Sequence, residues 1–455
     1  MSLLISAEAA LMKLVLMSSL ILAAAFSSFG QPTTAGVAHT TSDDDAAIRQ
    51  KTFEKVWSTV NEKHYDPSFG GVDWKRVKEI YEPKAAAAVS DADFHNVLRQ
   101  MLAELKLSHF GIHPPAAEMV AAQTGRGVTG IDVIMLDGLP VINRVDPGSS
   151  AERSGIRPGF IVDKIDGQQW QDVVAKIEAS LAARKVTEAM RKVYLERTLE
   201  AAINGKPGGP AAIEVLDDGN KRLAFKVDRV PFNGEMSQAM GNFPPQEVIF
   251  ESRRLTGDVG YIRFNMWVIP QMAKIRAALS ELSGINGMVI DLRGNPGGVG
   301  GMAPGFAGHL FSKRVSLGTM RSRGGSMEFV VFPQKDPFTG PVVILIDHGT
   351  GSTSEVFAAG MQETGRATII GSTSAGAVLP SVFEKLPTGF LFQYAVSDYR
   401  SPKKILIEGR GVFPDREVRK TRRDLLAGKD LQLEEALTFI ANAAKGTGKS
   451  AAAGR

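Results

Sequence analysis

At 455 residues the chain is long enough for two or three domains, and 44% hydrophobic with 22% charged residues excludes a disordered or fibrous protein. A formal charge of +4 and the lack of a long basic run argue against a nucleic-acid binder and leave the pI near 9.0 as a solvated basic surface. No cysteine is present, so disulfides and a lipid-anchored cysteine are excluded.

The chain opens with a targeting pattern. Met12-Lys13 precedes the apolar run Leu14 to Phe26, and small residues follow at Ser27, Ser28 and Gly30. A positive residue, a short apolar core and small residues define a secretory signal peptide, and the run is too short for a comfortable membrane span. Residues 1–30 are therefore expected to be the signal, with 1–11 as an upstream extension. A polar linker follows at 31–45. An exported chain without disulfides suits a bacterial periplasm or the outside of the cell.

Residues 46–120 read as a helical domain. Phe53, Val56, Trp57 and Val60 recur at helical spacing, and Asp73-Trp74 opens a second pattern with Val77, Ile80 and Tyr81. Ser90 or Asp91 caps a third, carrying Phe94, Val97, Leu98, Met101, Leu102 and Leu105 on its buried side. These aromatic and methionine positions read as core. Ser108-His109 sits just past that helix, either as a rigidly mounted base or as a capping serine beside a packed histidine. His113 is a rival, but Pro114-Pro115 make its surroundings a turn.

Residues 125–232 read as a β-rich module, with runs Val141 to Val145 and Ile161 to Ile165. A hairpin closes it, Ala211 to Val215 and Leu223 to Val227 around Asp217-Asp218-Gly219-Asn220. Residues 171–204 form a helical insertion, one helix or a pair, with Val173, Ile177, Leu181, Met190, Val193 and Leu199 facing the module. Residues 245–440 read as an α/β core, because strand and helix signals alternate. Gly260 to Phe264 is a strand, Ile269 to Leu282 a helix, and Met288 to Leu292 a buried strand ending in Arg293-Gly294-Asn295-Pro296-Gly297-Gly298. Asp291, Arg293 and Asp347 read as structural charges at strand ends. The tail, 445–455, reads as disordered.

Within the core, Val342 to Ile346 is an apolar β-branched run that Gly349, Thr350 and Gly351 break. Ser352 follows at the turn, Ser354 to Glu363 reads as a helix, and Ala367 to Ile370 as the next strand. A serine at a strand-to-helix turn is reachable by a substrate carbonyl, and the N–H groups opening the helix can receive an oxyanion. The bland alternative is that serine and threonine in Gly-Ser-Thr-Ser-Glu merely cap the helix. His348 competes as a base, although a loop role fits its place beside the strand end.

Three segments in order resemble the C-terminal processing (tail-specific) peptidases: Gly287 to Gly298, Gly351 to Gly371, and Ile407 to Asp415. The upstream module resembles a PDZ domain, with Gly127, Val128, Thr129 and Gly130 where such a domain binds a peptide's terminal carboxylate. The resemblance implies an α+β / α/β multidomain fold with an α/β (crotonase-like ββα-type) peptidase core. It also implies a serine peptidase whose nucleophile is Ser352. Most of the family carry a lysine base twenty-five residues after that serine, where this chain has Ala377, and no lysine or arginine lies between Arg366 and Lys385. A Ser–Lys dyad at that place is excluded. The tricorn-core-like branch instead uses a Ser-His pair before the module and a glutamate in the last motif, which correspond here to Ser108, His109 and Glu408. Gly297 or Gly298 and the Thr353 N–H are the implied oxyanion donors.

The expected function is a secreted serine endopeptidase using Ser352, His109, Ser108 and Glu408 on peptides or unfolded proteins, with no metal or cofactor. With His109 as base, activity should rise with pH through roughly 6–7. The rival is a peptide- or ligand-binding protein that kept the fold and lost the chemistry. A third reading, an esterase, shares the catalytic groups.

Overall fold

The computed structural model describes residues 43–184 and 186–452. The expected signal peptide and most of the linker lie outside the described residues. Three long helices come first: α1 (Asp43–Lys63), α2 (Trp74–Ala86) and α3 (Asp91–Ala103). Asp73 and Ser90 cap the second and third by accepting the N–H of Arg76 and Asp93. Phe53, Val56, Val60, Trp74, Phe94, Leu98 and Met101 are buried together, so the expected core positions are core. That core also takes residues from much later in the chain, Leu379, Phe392 and Tyr394. They reach it because β1 (Gly111–His113) pairs with a strand near residue 393.

After the short α4 (Ala116–Thr124) comes the β-rich module. Its strands are β2 (Gly127–Val128), β3 (Ile131–Leu136), β4 (Leu139–Val145), β5 (Ile161–Ile165), β6 (Gln168–Gln169), β7 (Pro210–Leu216), β8 (Arg222–Asp228) and β9 (Val230–Pro231). The main sheet runs β3-β4-β5-β7-β8, so β3 is an edge strand. The helix α5 (Ser150–Ser154) lies between β4 and β5. The insertion is a helical pair, α6 (Trp170–Arg184) and α7 (Glu188–Asn204). Leu195, Leu199 and Ile203 of α7 pack into the module's core with Ile131, Val133 and Ile142.

The last layer is a six-stranded sheet. Its strands are β10 (Phe250–Leu255), β11 (Val259–Phe264), β12 (Gly287–Asp291), β15 (Val342–Ile346), β16 (Thr368–Gly371) and β20 (Arg416–Glu417), in that order. From β11 onward neighbouring strands are parallel, and β10 adds antiparallel at one edge. Alternation explains the apolar runs. On β15, Val342, Ile344 and Ile346 face one core, while Val343 and Leu345 face the other. A parallel strand covered on both faces needs no polar side. One cover includes α8 (Ile269–Glu281), α9 (Met302–Ala307) and α10 (Thr353–Glu363), with Trp267, Phe306 and Phe357 in ring contact. Past the short α11 (Arg422–Leu426), the other cover is α12 (Leu431–Ala452), which places Ala436 and Ile440 on the sheet.

Two small sheets complete the fold. One orders β14 (Gly325–Val331), β13 (Val315–Ser322) and β19 (Asp398–Arg400); the other is β1 with β18 (Leu391–Ala395) and β17 (Ser381–Lys385). One expectation changes: α12 continues to Ala452, over residues expected to form a disordered tail. Glu408 sits in a turn: Leu406 makes an isolated bridge to Arg400, and Gly409 turns back to donate to the carbonyl of Gly376.

Candidate active site

The parallel strands β12 and β15 are adjacent, and their carboxyl ends release two loops side by side. Ligands in such sheets bind at these ends. The loops are tied together. Asp347 Oδ1 accepts the N–H groups of Gly294 and Gly349 at 2.8 and 2.9 Å, and Gly351 N–H donates to the Asn295 carbonyl at 2.9 Å. The Asn295 side chain is fully buried and holds three groups. Its amide donates to the Phe264 carbonyl, and its Oδ1 accepts from Gly297 N–H and Ser354 Oγ. Trp267 Nε1 donates to the same Ser354 Oγ at 2.8 Å.

Ser352 follows at the helix opening with φ 60 and ψ −118, a conformation costly for a residue with a Cβ. The surrounding bonds enforce it. Glu355, one helical turn on, accepts the Ser352 N–H at 2.9 Å. The same carboxylate accepts from Gly376 and Ala377 N–H and from Ser374 Oγ. Burial pushes the Glu355 carboxyl above its ordinary range, against the pull of those donors. Ser352 Oγ is buried and has no hydrogen-bond partner among the described residues.

The N–H groups around it divide clearly. Gly297 N–H is spent on Asn295 at 3.0 Å. Gly298 N–H and Thr353 N–H donate to no other described residue, the second because it opens the helix. Gly298 has φ 141, and a Cβ there would meet the Trp267 carbonyl oxygen at 2.2 Å, so only glycine fits. Thr353 Oγ1 donates to the Gly298 carbonyl at 2.8 Å and locks the two segments together.

The second half of the site comes from residues about 300 apart. Ser108 N–H and Oγ donate to Oε1 and Oε2 of Glu408 at 2.7 and 2.9 Å. Ser108 Oγ also bonds His109 Nδ1. A hydroxyl has one proton. With that proton on Glu408, Ser108 must accept from His109, which puts the ring proton on Nδ1 and leaves Nε2 a bare acceptor. His109 Nε2 is buried without a partner. Burial, and then the charge of His113, push His109 down to about 3, so the ring is neutral at pH 7. Burial lifts Glu408 to about 7 against three donated bonds, two from Ser108 and one from Val378 N–H at 2.9 Å.

Ala377 and Val378 join the halves. The Ala377 N–H goes to Glu355 and the Val378 N–H to Glu408, so one step of backbone separates the carboxylate under Ser352 from the carboxylate behind His109. Ser352 Oγ and His109 Nε2 make no hydrogen bond to each other. His113 is held in β1 against Gln393. His348 lies in the turn after β15, half-buried, and its Nε2 meets both oxygens of Glu196 on α7 at 2.8 and 3.0 Å. Asp291 and Arg293 pair with each other, and Arg293 also grips Asp430 and Gln432 from the start of α12. Glu355 was missed by reading the sequence, yet its signal was there: Ser-x-x-Glu at a helix opening is a capping box. Asn295 carried no local signal.

A serine at a strand-to-helix turn, N–H donors beside it and a histidine tied through a serine to a glutamate are the groups that serine-hydrolase chemistry would use. Residues 258–418 match peptidase family S41, and residues 45–103 match the tricorn protease C1 domain. The chain is similar to the carboxyl-terminal-processing protease of Synechocystis sp., 24% identical over 404 residues that cover 86% of each chain. It is similar also to carboxy-terminal processing protease CtpB of Bacillus subtilis, 26% identical over 320 residues, 69% of this chain and 59% of that one. Among solved structures, the photosystem II D1 C-terminal processing protease superposes with a TM-score of 0.54 at 21% identity, covering 82% of this chain and 93% of the other. Mature CPAF complexed with lactacystin superposes at 0.59 and 14%, covering 88% and 99%. Over residues 258–418 the chain is thus similar to peptidase family S41, and along most of its length to the C-terminal processing proteases. No helix among the described residues is long and apolar enough to cross a membrane.

Proposed function

We propose that the chain is an exported serine endopeptidase that cleaves peptides or unfolded proteins through Ser352, His109, Ser108 and Glu408. The observation that carries this is the directed relay from His109 through Ser108 to Glu408, which leaves His109 Nε2 bare and neutral. Ser352 Oγ attacks the scissile carbonyl while His109 takes its proton and later gives it to the leaving amine, a step worth about 10²–10⁴-fold. The imidazolium so formed is stabilised through Ser108 by ionised Glu408, as the acid does in a triad. Gly298 and Thr353 N–H groups receive the oxyanion. Gly297 positions that loop through Asn295 and donates nothing to the substrate. Ala377 offers no side-chain base, and its backbone N–H goes to Glu355.

Substrate engagement by the PDZ-like module would be strand addition at β3, beside the Gly127–Gly130 loop. It requires the acceptors now on that edge to leave. The apolar run near the start supports export to the periplasm or the outside.

The test is cleavage of casein by the chain from residue 31 onward, beside Ser352→Ala and His109→Ala. Cleavage by the unsubstituted chain alone supports the reading. Cleavage that survives His109→Ala overturns the base, and failure of a fluorophosphonate to label Ser352 overturns the nucleophile.

A further inference from the structure

The module's edge strand β3 is not free. On its outer side two N–H groups of the strand, and that of Thr129 in the loop just before it, are taken by one helix. Thr129 N–H donates to Asn204 Oδ1 at 3.0 Å, Val133 N–H to Glu200 Oε1 at 3.0 Å, and Met135 N–H to Glu196 Oε1 at 2.7 Å. Thr129 Oγ1 donates to Asn204 Oδ1 as well. Asn204, Glu200 and Glu196 are spaced four apart, so they lie on one face of α7, which runs antiparallel to the strand. The nearby Gly127 N–H is taken by the Gly205 carbonyl at 2.8 Å, just past the same helix. An added peptide strand would offer its carbonyls to these same donors.

This arrangement is costly and therefore informative. A short edge can be left to water, and surface carboxylates favour solvent. Here burial and the charge of Asp132 push Glu200 up to about 8. Glu196 does a second job, since it also receives His348, four residues before Ser352. The helix touches the site elsewhere too: Met190 packs on Ala375 and Ala377, the segment that serves Glu355.

We infer that α7 is the built-in occupant of the β3 edge, so that a peptide adds to this strand only by displacing Asn204, Glu200 and Glu196, and that this displacement releases His348. His348 is then the point at which occupation of the module is felt in the nucleophile loop. The groups facing it are Glu196 and Lys192 from α7 and Asp347 from its own loop.

The test reads binding, not hydrolysis, in the Ser352→Ala chain, so its outcome is independent of the peptidase reading. The probe is a short synthetic peptide with an apolar C-terminal residue and a free carboxylate. In the parent chain the Val133 and Met135 amides should be strongly protected from hydrogen exchange without peptide. Adding Asn204→Ala and Glu200→Ala should deprotect Val133 and tighten peptide binding by about tenfold or more, the factor expected for donors left without acceptors. Bound peptide should restore protection and shift the His348 ring resonances. Glu200→Gln, which keeps an acceptor, should bind like the parent. Rapid exchange of Val133 and Met135 in the parent, equal affinity in parent and double variant, or binding that leaves His348 unmoved would overturn the inference. The exchange measurement needs no substitution in the module, so a variant that fails to fold does not shield the claim.

Discussion

Two carboxylates, Glu355 and Glu408, stand on either side of the same short backbone segment, and they do different work. Each accepts backbone N–H groups from that segment, and each accepts a serine hydroxyl. Glu355 is fully buried, and its serine, Ser374, passes the chain of bonds on to Val412 N–H, a backbone group with no chemistry. The serine of Glu408, Ser108, passes the chain on to an imidazole. The same local construction is therefore a brace in one place and a relay in the other. What decides is the group at the far end of the hydroxyl.

Substitutions can break or sharpen this contrast. The largest effect falls at the reacting atoms: Ser352→Ala should lower kcat by about 10⁴–10⁶-fold, as loss of a triad nucleophile does, read as casein cleavage in a chain of unchanged melting temperature. Next, His109→Ala should cost about 10²–10⁴-fold. On the relay side, Glu408→Gln should lower kcat by about 10²-fold, short of the 10⁴ seen when an acid touches the histidine directly, because Ser108 intervenes. Its pH profile is the sharper reading. His109 is already neutral near pH 7, whereas Glu408 loses its proton only at about 7. Activity of the unsubstituted enzyme should then rise with pH through about 7, as Glu408 ionises, and Glu408→Gln should lose that limb.

On the brace side, Glu355→Ala leaves the Ser352, Gly376 and Ala377 N–H groups without their acceptor, so unfolding free energy should drop by about 3 kcal/mol or more. Denaturant melts would check it. The pH limb of whatever activity survives should stay in place, because Glu408 still ionises. A limb that vanished with Glu355 and persisted without Glu408 would reverse the two assignments. The smallest effect is at Gly297→Ala, where the N–H bond to Asn295 is kept; the φ of 104 strains the added Cβ, and kcat should fall less than in Gly298→Ala.

The sequence by itself determined the Ser352 side of the site. The run Val342 to Ile346, the glycines after it, Ser352 and the helix behind it are local, and a β-α unit with a continuously apolar strand is written in neighbouring residues. The same holds for the helical caps at Asp73 and Ser90 and for the closing hairpin of the module. Only the tertiary structure decided the rest. Ser108 and Glu408 lie 300 positions apart, and their bond exists because β1 joins β18 and draws Leu379 and Phe392 into the N-terminal core. His348 could be read as a solvated loop residue until Glu196 arrived from another sheet's helix. The β3 edge looked open for the same reason: its N–H groups are visible in any strand, but their acceptors lie on a helix more than sixty residues later. Local chemistry sets which groups need partners. Which partners they find depends on long-range packing, and that is where a buried charge, a free lone pair and a closed edge are settled.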